Sequence, residues 1–194
     1  MGKTRLEAFS DGVIAILITI MVLEMKVPHG ESFASLEPLL PVVLSYVLSF
    51  VYVGIYWNNH HHMLHMCTRV NGPMLWANLH LLFWLSLIPF VTGWMGENHF
   101  SSMPEALYGF VLLAAGVAYV MLQAIIIKTQ GAGSPLKRAI GGDWKGKISP
   151  LLYVAGIGTA FVHRWLSMAC YVLAACIWIV PDLRIERALS EGEE

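Results

Sequence analysis

Residues 5–23 read RLEAFSDGVIAILITIMVL, and from Gly12 onward every residue of this stretch except Thr19 is apolar. A membrane-spanning helix needs about 20 mostly apolar residues, because it must cross about 30 Å of hydrocarbon at about 1.5 Å per residue. The stretch meets both requirements. It therefore predicts a helix that crosses a bilayer near the start of the chain.

Five further segments approach the same length. They cover residues 39–65, with a polar end after Trp57, and then residues 73–95, 104–127, 148–162 and 165–180. The last two are short, but joining them would place His163 and Arg164 in mid-membrane, so we predict a tight hairpin there. The sequence thus predicts an all-α membrane protein with six transmembrane helices in one domain spanning residues 1–194.

The composition excludes several classes of protein. Of the 194 residues, 57% are hydrophobic and 13% charged, against about 25% charged in soluble domains. The net charge of -1 provides no basic field for nucleic acid. Cys67, Cys170 and Cys176 form no C-x-x-C pair, so we expect no structural metal and no cofactor. No nucleophile–base pair or phosphate-binding loop is present, and the sequence does not predict an enzyme.

The distribution of Lys and Arg predicts the orientation in the membrane, because these residues concentrate on the cytoplasmic side. With six spans, ten of the twelve fall on one side and two on the other. The cytoplasmic set is Lys3, Arg5, Arg69, Lys128, Lys137, Arg138, Lys145, Lys147, Arg184 and Arg187, and the outer set is Lys26 and Arg164. We therefore expect a multi-pass protein of the cell membrane with both termini in the cytoplasm.

The first helix has two different faces. At 100° per residue, one narrow stripe contains Arg5, Phe9, Gly12, Ile16, Thr19, Ile20 and Leu23. An apolar stripe of this kind also fits a lipid-facing or helix-packing surface. Asp11 points nearly the opposite way. Since an acidic side chain within a span costs about 2.5–3.5 kcal/mol on insertion scales, it should face protein or water and find partners there.

The neighbouring helices supply those partners. The second helix ends WNNHHHMLH at residues 57–65, and the third carries Asn78 soon after its start. One short cytoplasmic turn joins them, so both polar ends lie at the membrane depth of Ser10 and Asp11. The sequence predicts a buried hydrogen-bond network that clamps the first helix against its own subunit.

Several motifs together resemble a known family. They are Arg5-x-x-x-Phe9-Ser10-Asp11-Gly12, a first helix ending Val22-Leu23-Glu24-Met25-Lys26-Val27-Pro28, Trp57-x-x-His60-His61, Asn78 and the pair Pro89-Phe90. In this arrangement the chain resembles the transmembrane protein 175 family of potassium channels. The resemblance implies a channel in which the first helix of each subunit lines a central pore. It also implies a packing network that joins Ser10 and Asp11, in the motif begun by Arg5 and Phe9, to Trp57, His60, His61 and Asn78.

Carried onto this chain, the resemblance places Ile16 at the narrowest layer of the pore. Thr19 becomes a polar layer one turn further on, and Leu23 forms another apolar ring, with Ile20 on the same face. Animal members carry two six-helix units in one chain, whereas this chain has one, so a homotetramer is implied. The implied partners are potassium ions, the lipid bilayer and further copies of the chain.

Ion selection in such a pore needs its own explanation. No Thr-Val-Gly-Tyr-Gly stretch is present, so a filter of backbone carbonyls is not available. We expect the hydrophobic rings to force partial dehydration, which costs potassium less than sodium. The same rings would close the path by dewetting.

Two other classes of function remain open at this point. One is an ion-coupled secondary transporter, for which Pro89 in the third helix is the clear candidate helix break. The other is a haem-binding membrane redox protein, because His61 and His65 are spaced i, i+4 and His80 follows on the next helix. His60, His61, His62 and His65 would likewise suit a transition metal, with metal transport as the activity.

Overall fold

The computed structural model describes residues 2–131, 134, 136–137 and 144–179, and these residues form helices and connecting turns without a strand. The all-α prediction is confirmed. The elements are α1 (Lys3–Leu23), a 3₁₀ helix (Phe33–Leu39), α2 (Leu40–His65), α3 (Gly72–Ser86), α4 (Ile88–Glu97), α5 (Ser102–Gln130), α6 (Trp144–Thr159) and α7 (Arg164–Ile179). The predicted end of the last span at Val180, and the cytoplasmic cations Arg138, Arg184 and Arg187, lie outside the described residues.

The third predicted span, over residues 73–95, is divided into two helices next to Pro89, the candidate helix break. α3 ends at Ser86 and α4 begins at Ile88. Pro89 explains the break, because its ring has no N–H and collides with the carbonyl one turn earlier in a regular helix. At the junction, the backbone N–H of Leu87 donates to the carbonyl of Trp84 over 3.2 Å, a tighter turn than α-helical pairing.

Four segments are long and apolar enough to cross a membrane: α1, α2 with its preceding 3₁₀ helix, α3 with α4, and α5. α6 and α7 have 16 residues each, which gives each a length of about 24 Å. A turn at residues 160–163 joins them, and its last residue, His163, donates its N–H to the carbonyl of Thr159 over 2.8 Å. These two helices therefore form the short hairpin of the fold.

The subunit is held together around α5, which packs against α3, α4 and α6, while α6 packs along α7. Tyr171 of α7 fits into a groove where Gly109 of α5 and Gly156 of α6 leave no room for a Cβ atom. Its hydroxyl donates to the carbonyl of Glu105 over 3.2 Å, and its own carbonyl accepts from the hydroxyl of Tyr52 over 2.6 Å. α1 lies apart from this centre and contacts α2, α3 and α4 along one side.

Candidate functional site: the first helix and its anchors

The two faces of α1 differ sharply in burial. Its buried side chains all point toward α2, α3 and α4, and they are Leu6, Ser10, Ile14, Leu17 and Met21. The stripe singled out from the sequence lies on the exposed side. Its members Arg5, Phe9, Gly12, Ile16, Thr19, Ile20 and Leu23 are all exposed, with Ile16 58% and Leu23 76% accessible. One subunit therefore leaves this largely apolar stripe uncovered.

A buried chain of hydrogen bonds links α1 to α2 and α3. The Oδ1 atom of Asn78 lies 2.7 Å from Nε2 of His60, and the Nδ2 atom of Asn78 donates to the hydroxyl of Ser10 over 3.0 Å. Ser10 in turn donates to the carbonyl of Leu6 over 2.9 Å. Since an amide oxygen only accepts, Nε2 of His60 carries the proton, and every bond in the chain has one direction. All three side chains are buried.

Asp11 belongs to a separate and more exposed contact. Its Oδ1 atom accepts a hydrogen bond from Nε1 of Trp57 over 3.1 Å. The Trp57 ring stacks on His61 with 6.1 Å between centroids, and His61 stacks on His65 at 6.2 Å. Asp11 is only partly buried, so the prediction of one buried network that includes Asp11 is corrected to two contacts at neighbouring depths.

The ends of α1 are tied down as well. At its start, the ammonium group of Lys3 donates to the carbonyl of His65 over 2.6 Å, at the end of α2 where the helix dipole favours a cation. Beyond its other end, Lys26 forms an ion pair with Glu97 at the end of α4, with 2.7 Å between Nζ and Oε1. The helix is thus held to its own subunit at three levels.

The structure does not bring every residue implied by the resemblance into these contacts. Arg5 and Phe9 lie on the exposed stripe and stay outside the hydrogen-bonded chain of Ser10. Thr19 is exposed, and its hydroxyl donates to the carbonyl of Ala15 over 3.1 Å. Because the hydroxyl proton points back into the helix, the lone pairs of the Thr19 oxygen are left facing outward.

The histidines have local partners in the structure. The Nε2 atom of His60 is hydrogen-bonded to Asn78, and Nε2 of His80 accepts from Nε1 of Trp84 over 2.9 Å. Within the described part of the chain, no group of three His, Cys, Asp or Glu side chains is arranged to hold a metal ion. The geometry therefore gives the haem and metal alternatives no assembled ligand set there.

Sequence reasoning missed two features near the outer ends of the helices. The pairing of Lys26 with Glu97 had a signal, because opposite charges that follow two outward-running spans lie on the same side of the membrane. The other is Glu105 in the first turn of α5, whose carboxyl is fully buried and makes no hydrogen bond. Its hydrophobic neighbours in sequence are ordinary for a span, so no local pattern marks its burial.

Comparison with known proteins identifies the family. Residues 5–89 match the family model described as the endosomal/lysosomal potassium channel TMEM175. A protein of Chryseobacterium sp. named as a potassium channel is 55% identical over 99% of this chain and 100% of its own length. The chain belongs to the TMEM175 family. The resemblance inferred from the sequence is thereby confirmed, as is the prediction that the protein is not an enzyme, since the family is one of ion channels.

Two further TMEM175 relatives extend the similarity beyond the first three helices. A protein of Streptomyces collinus named as a potassium channel is 32% identical over 88% of this chain and 88% of its own length. The crystal structure of a lysosomal potassium-selective channel TMEM175 homolog from Chamaesiphon minutus superposes with a TM-score of 0.81. It is 27% identical and covers 93% of this chain and 97% of that one. The similarity to the TMEM175 fold thus covers nearly the whole chain.

Proposed function

We propose that this protein is the subunit of a potassium channel in which four copies surround a central pore lined by α1. The relatives named as potassium channels support the activity. The observation that carries the arrangement is that α1 has polar anchors on its buried side and an uncovered stripe on the other. One subunit contributes a single such helix and cannot enclose a pore, so several copies are required.

The composition of the stripe supports a pore rather than a surface facing lipid. Thr19 interrupts the apolar residues Ile16, Ile20 and Leu23, and Arg5 lies at the end of the same stripe. Neither residue is favoured against acyl chains. In a pore, the outward lone pairs of four Thr19 hydroxyls would offer oxygen ligands to a cation that has lost part of its water.

Ion selection then follows from the order of the layers along α1. Ile16 and Leu23 are separated by about 10.5 Å along the helix axis, and Thr19 lies about 4.5 Å from Ile16 between them. Apolar rings at Ile16 and Leu23 leave an ion partly dehydrated, which disfavours sodium because it holds water more tightly than potassium. The same rings exclude water when they narrow, so gate and filter share side chains.

The test is potassium flux in proteoliposomes containing the purified parent protein and variants of the stripe. Ile16→Asn is expected to raise flux about tenfold or more and to lower the preference for potassium over sodium, because a polar ring removes about 1.4 kcal/mol or more from the barrier. Thr19→Ala is expected to lower selectivity. The matched control is Val22→Asn, since Val22 is exposed on α1 but about 120° away from Ile16.

Equal flux and selectivity in the parent and Ile16→Asn would show that the constriction lies elsewhere. Flux that saturates with potassium or needs a counter-ion would favour the secondary transporter over a pore. Light scattering on the purified protein provides the second readout, because the proposal requires a particle of four chains of 21.6 kDa each. A monomer or dimer that still conducts would contradict the four-fold arrangement.

A further inference from the structure

A cavity of about 300 Å³ lies between α2, α5, α6 and α7, and no residue of α1 lines it. Its deep walls are formed by Tyr52, Tyr56, Leu113, Gly116 and Tyr153. This volume is large enough for a small ligand.

The side chains that line the cavity present mainly carbon atoms to a ligand. The indole N–H of Trp178 is bound to the hydroxyl of Ser149 over 2.6 Å, and that hydroxyl donates to the carbonyl of Lys145 over 2.8 Å. Asn59 donates its amide to the carbonyl of Ile55 in its own helix over 2.8 Å. These polar groups already have hydrogen-bond partners within the protein. A polar ligand would therefore gain few hydrogen bonds from the wall, whereas an alkyl chain would leave these groups paired.

The amide and serine side chains of the cavity lie toward one end of it. Asn59 lies near the end of α2, Gln123 lies in the last turns of α5, and Ser149 lies near the start of α6. That same end carries positive charge. Lys145 lies 5.9 Å from the centre of the Trp178 ring, which lines the cavity, and Lys147 follows it on α6.

The cavity thus runs from an end that lies near the ammonium group of Lys145 to an interior lined mainly by carbon atoms. This is the polarity of a membrane lipid with an anionic head group.

The cavity is partly open at its side. Its rim includes Val117, Val120 and Met121 of α5, each close to half exposed. These side chains lie in the middle of a span of 29 residues. A lipid in the surrounding leaflet would reach the cavity sideways, without leaving the hydrocarbon.

We propose that this cavity binds one acyl chain of an anionic phospholipid from the leaflet that faces the cationic end, with the phosphate held near Lys145 and Lys147. The basic side chains select the charge of the head group, and the cavity selects a flexible alkyl chain. The site is separate from the stripe of α1, so the inference stands whether or not the pore is assigned correctly.

The experiment is native mass spectrometry of the delipidated full-length protein with phosphatidylglycerol or phosphatidylcholine of identical acyl chains. The parent is expected to bind phosphatidylglycerol more tightly. Lys145→Gln combined with Lys147→Gln should weaken that binding about tenfold, because each cation near an anionic lipid contributes attraction. The matched control is Lys128→Gln, since Lys128 is exposed at the end of α5, whereas Lys145 lies over the Trp178 ring that lines the cavity.

A second variant tests the cavity itself. A Cβ atom at Gly116 would meet only Tyr153 and Tyr56, both at 3.8 Å, so Gly116→Leu places its side chain into the open space. The Gly116→Leu variant should not bind the acyl chain of the lipid. Its lipid-free form should unfold at a higher temperature than the lipid-free parent. Gly158→Leu is its control, because nothing lies within 4 Å of a Cβ atom at Gly158 and it does not line the cavity.

Three results would overturn the proposal. One is equal binding of the two lipids to the parent, and another is undiminished binding to Gly116→Leu. The third is a change of oligomeric state in Gly116→Leu without a change in bound lipid, which would show that a second copy of the chain covers the opening instead.

Discussion

Replacing Asn78 by Leu gives the sharpest test of how α1 is held, because the Leu side chain branches at the same atom but forms no hydrogen bonds. Asn78 is fully buried and bonds to His60 and Ser10 through opposite ends of its amide. Two interhelical hydrogen bonds in a membrane protein are worth about 1.2 kcal/mol at an average of about 0.6 each. The substitution also leaves the N–H of His60 buried without a partner, which costs about 1–3 kcal/mol.

We therefore expect Asn78→Leu to lower the free energy of unfolding by about 2–4 kcal/mol. Ser10→Ala should cost less, about 1 kcal/mol, because it removes one of the two bonds and leaves His60 paired. The measurement is reversible unfolding in mixed micelles with increasing denaturing detergent. Leu79→Ala serves as the control, since Leu79 is the next residue of α3 and is exposed.

If Asn78→Leu and Leu79→Ala cost the same, the hydrogen-bonded chain does not hold α1, and the anchoring argument fails. A double-variant cycle measures the interaction free energy between the two side chains. Asn78→Leu and Ser10→Ala should together cost less than the sum of the single changes, because both remove the same bond. Strict additivity would mean that the two side chains do not interact in solution.

Two further predictions concern other parts of the subunit. Gly109→Ala should cost about 1–3 kcal/mol of unfolding free energy, because a Cβ atom there collides with the ring of Tyr171, and Gly158→Ala in open space should cost nothing in the same unfolding assay. Burial raises the pKa of the Cys67 thiol, so at pH 8 its alkylation should be slower than in the unfolded protein and should accelerate at higher pH. Equal rates of iodoacetamide labelling in folded and unfolded protein would refute the second prediction.

Hydropathy and charge predict much of this fold because a bilayer imposes strong rules on sequence. An apolar run of fixed length predicts a span, and a proline inside it predicts a break, as Pro89 does near the junction of α3 and α4. The two faces of α1 also follow from a helical period alone. These features depend on local sequence, so no information about neighbouring helices is needed to find them.

Side-chain contacts that depend on how one helix is rotated about its axis relative to its neighbour could not be predicted from local sequence. The sequence places Ser10 and Asp11 at one depth beside α2 and α3, but adjacent residues point about 100° apart. The orientation of the helices therefore decides that Ser10 meets Asn78 while Asp11 meets Trp57. The burial of Glu105 and the fit of Tyr171 against Gly109 have the same origin, since each depends on the packing of α5 against α7.

The contacts that hold α1 differ in strength, so one end of the helix is held more firmly than the other. Near its start, the buried bonds of Ser10 act together with the contact of Lys3 at the end of α2. Beyond its other end, the ion pair of Lys26 with Glu97 is exposed, and such pairs contribute about 0–1 kcal/mol. The layer at Ile16 is therefore nearer the rigid part of the subunit than the layer at Leu23. A pore built from four such helices would hold its ring at Ile16 more firmly than its ring at Leu23.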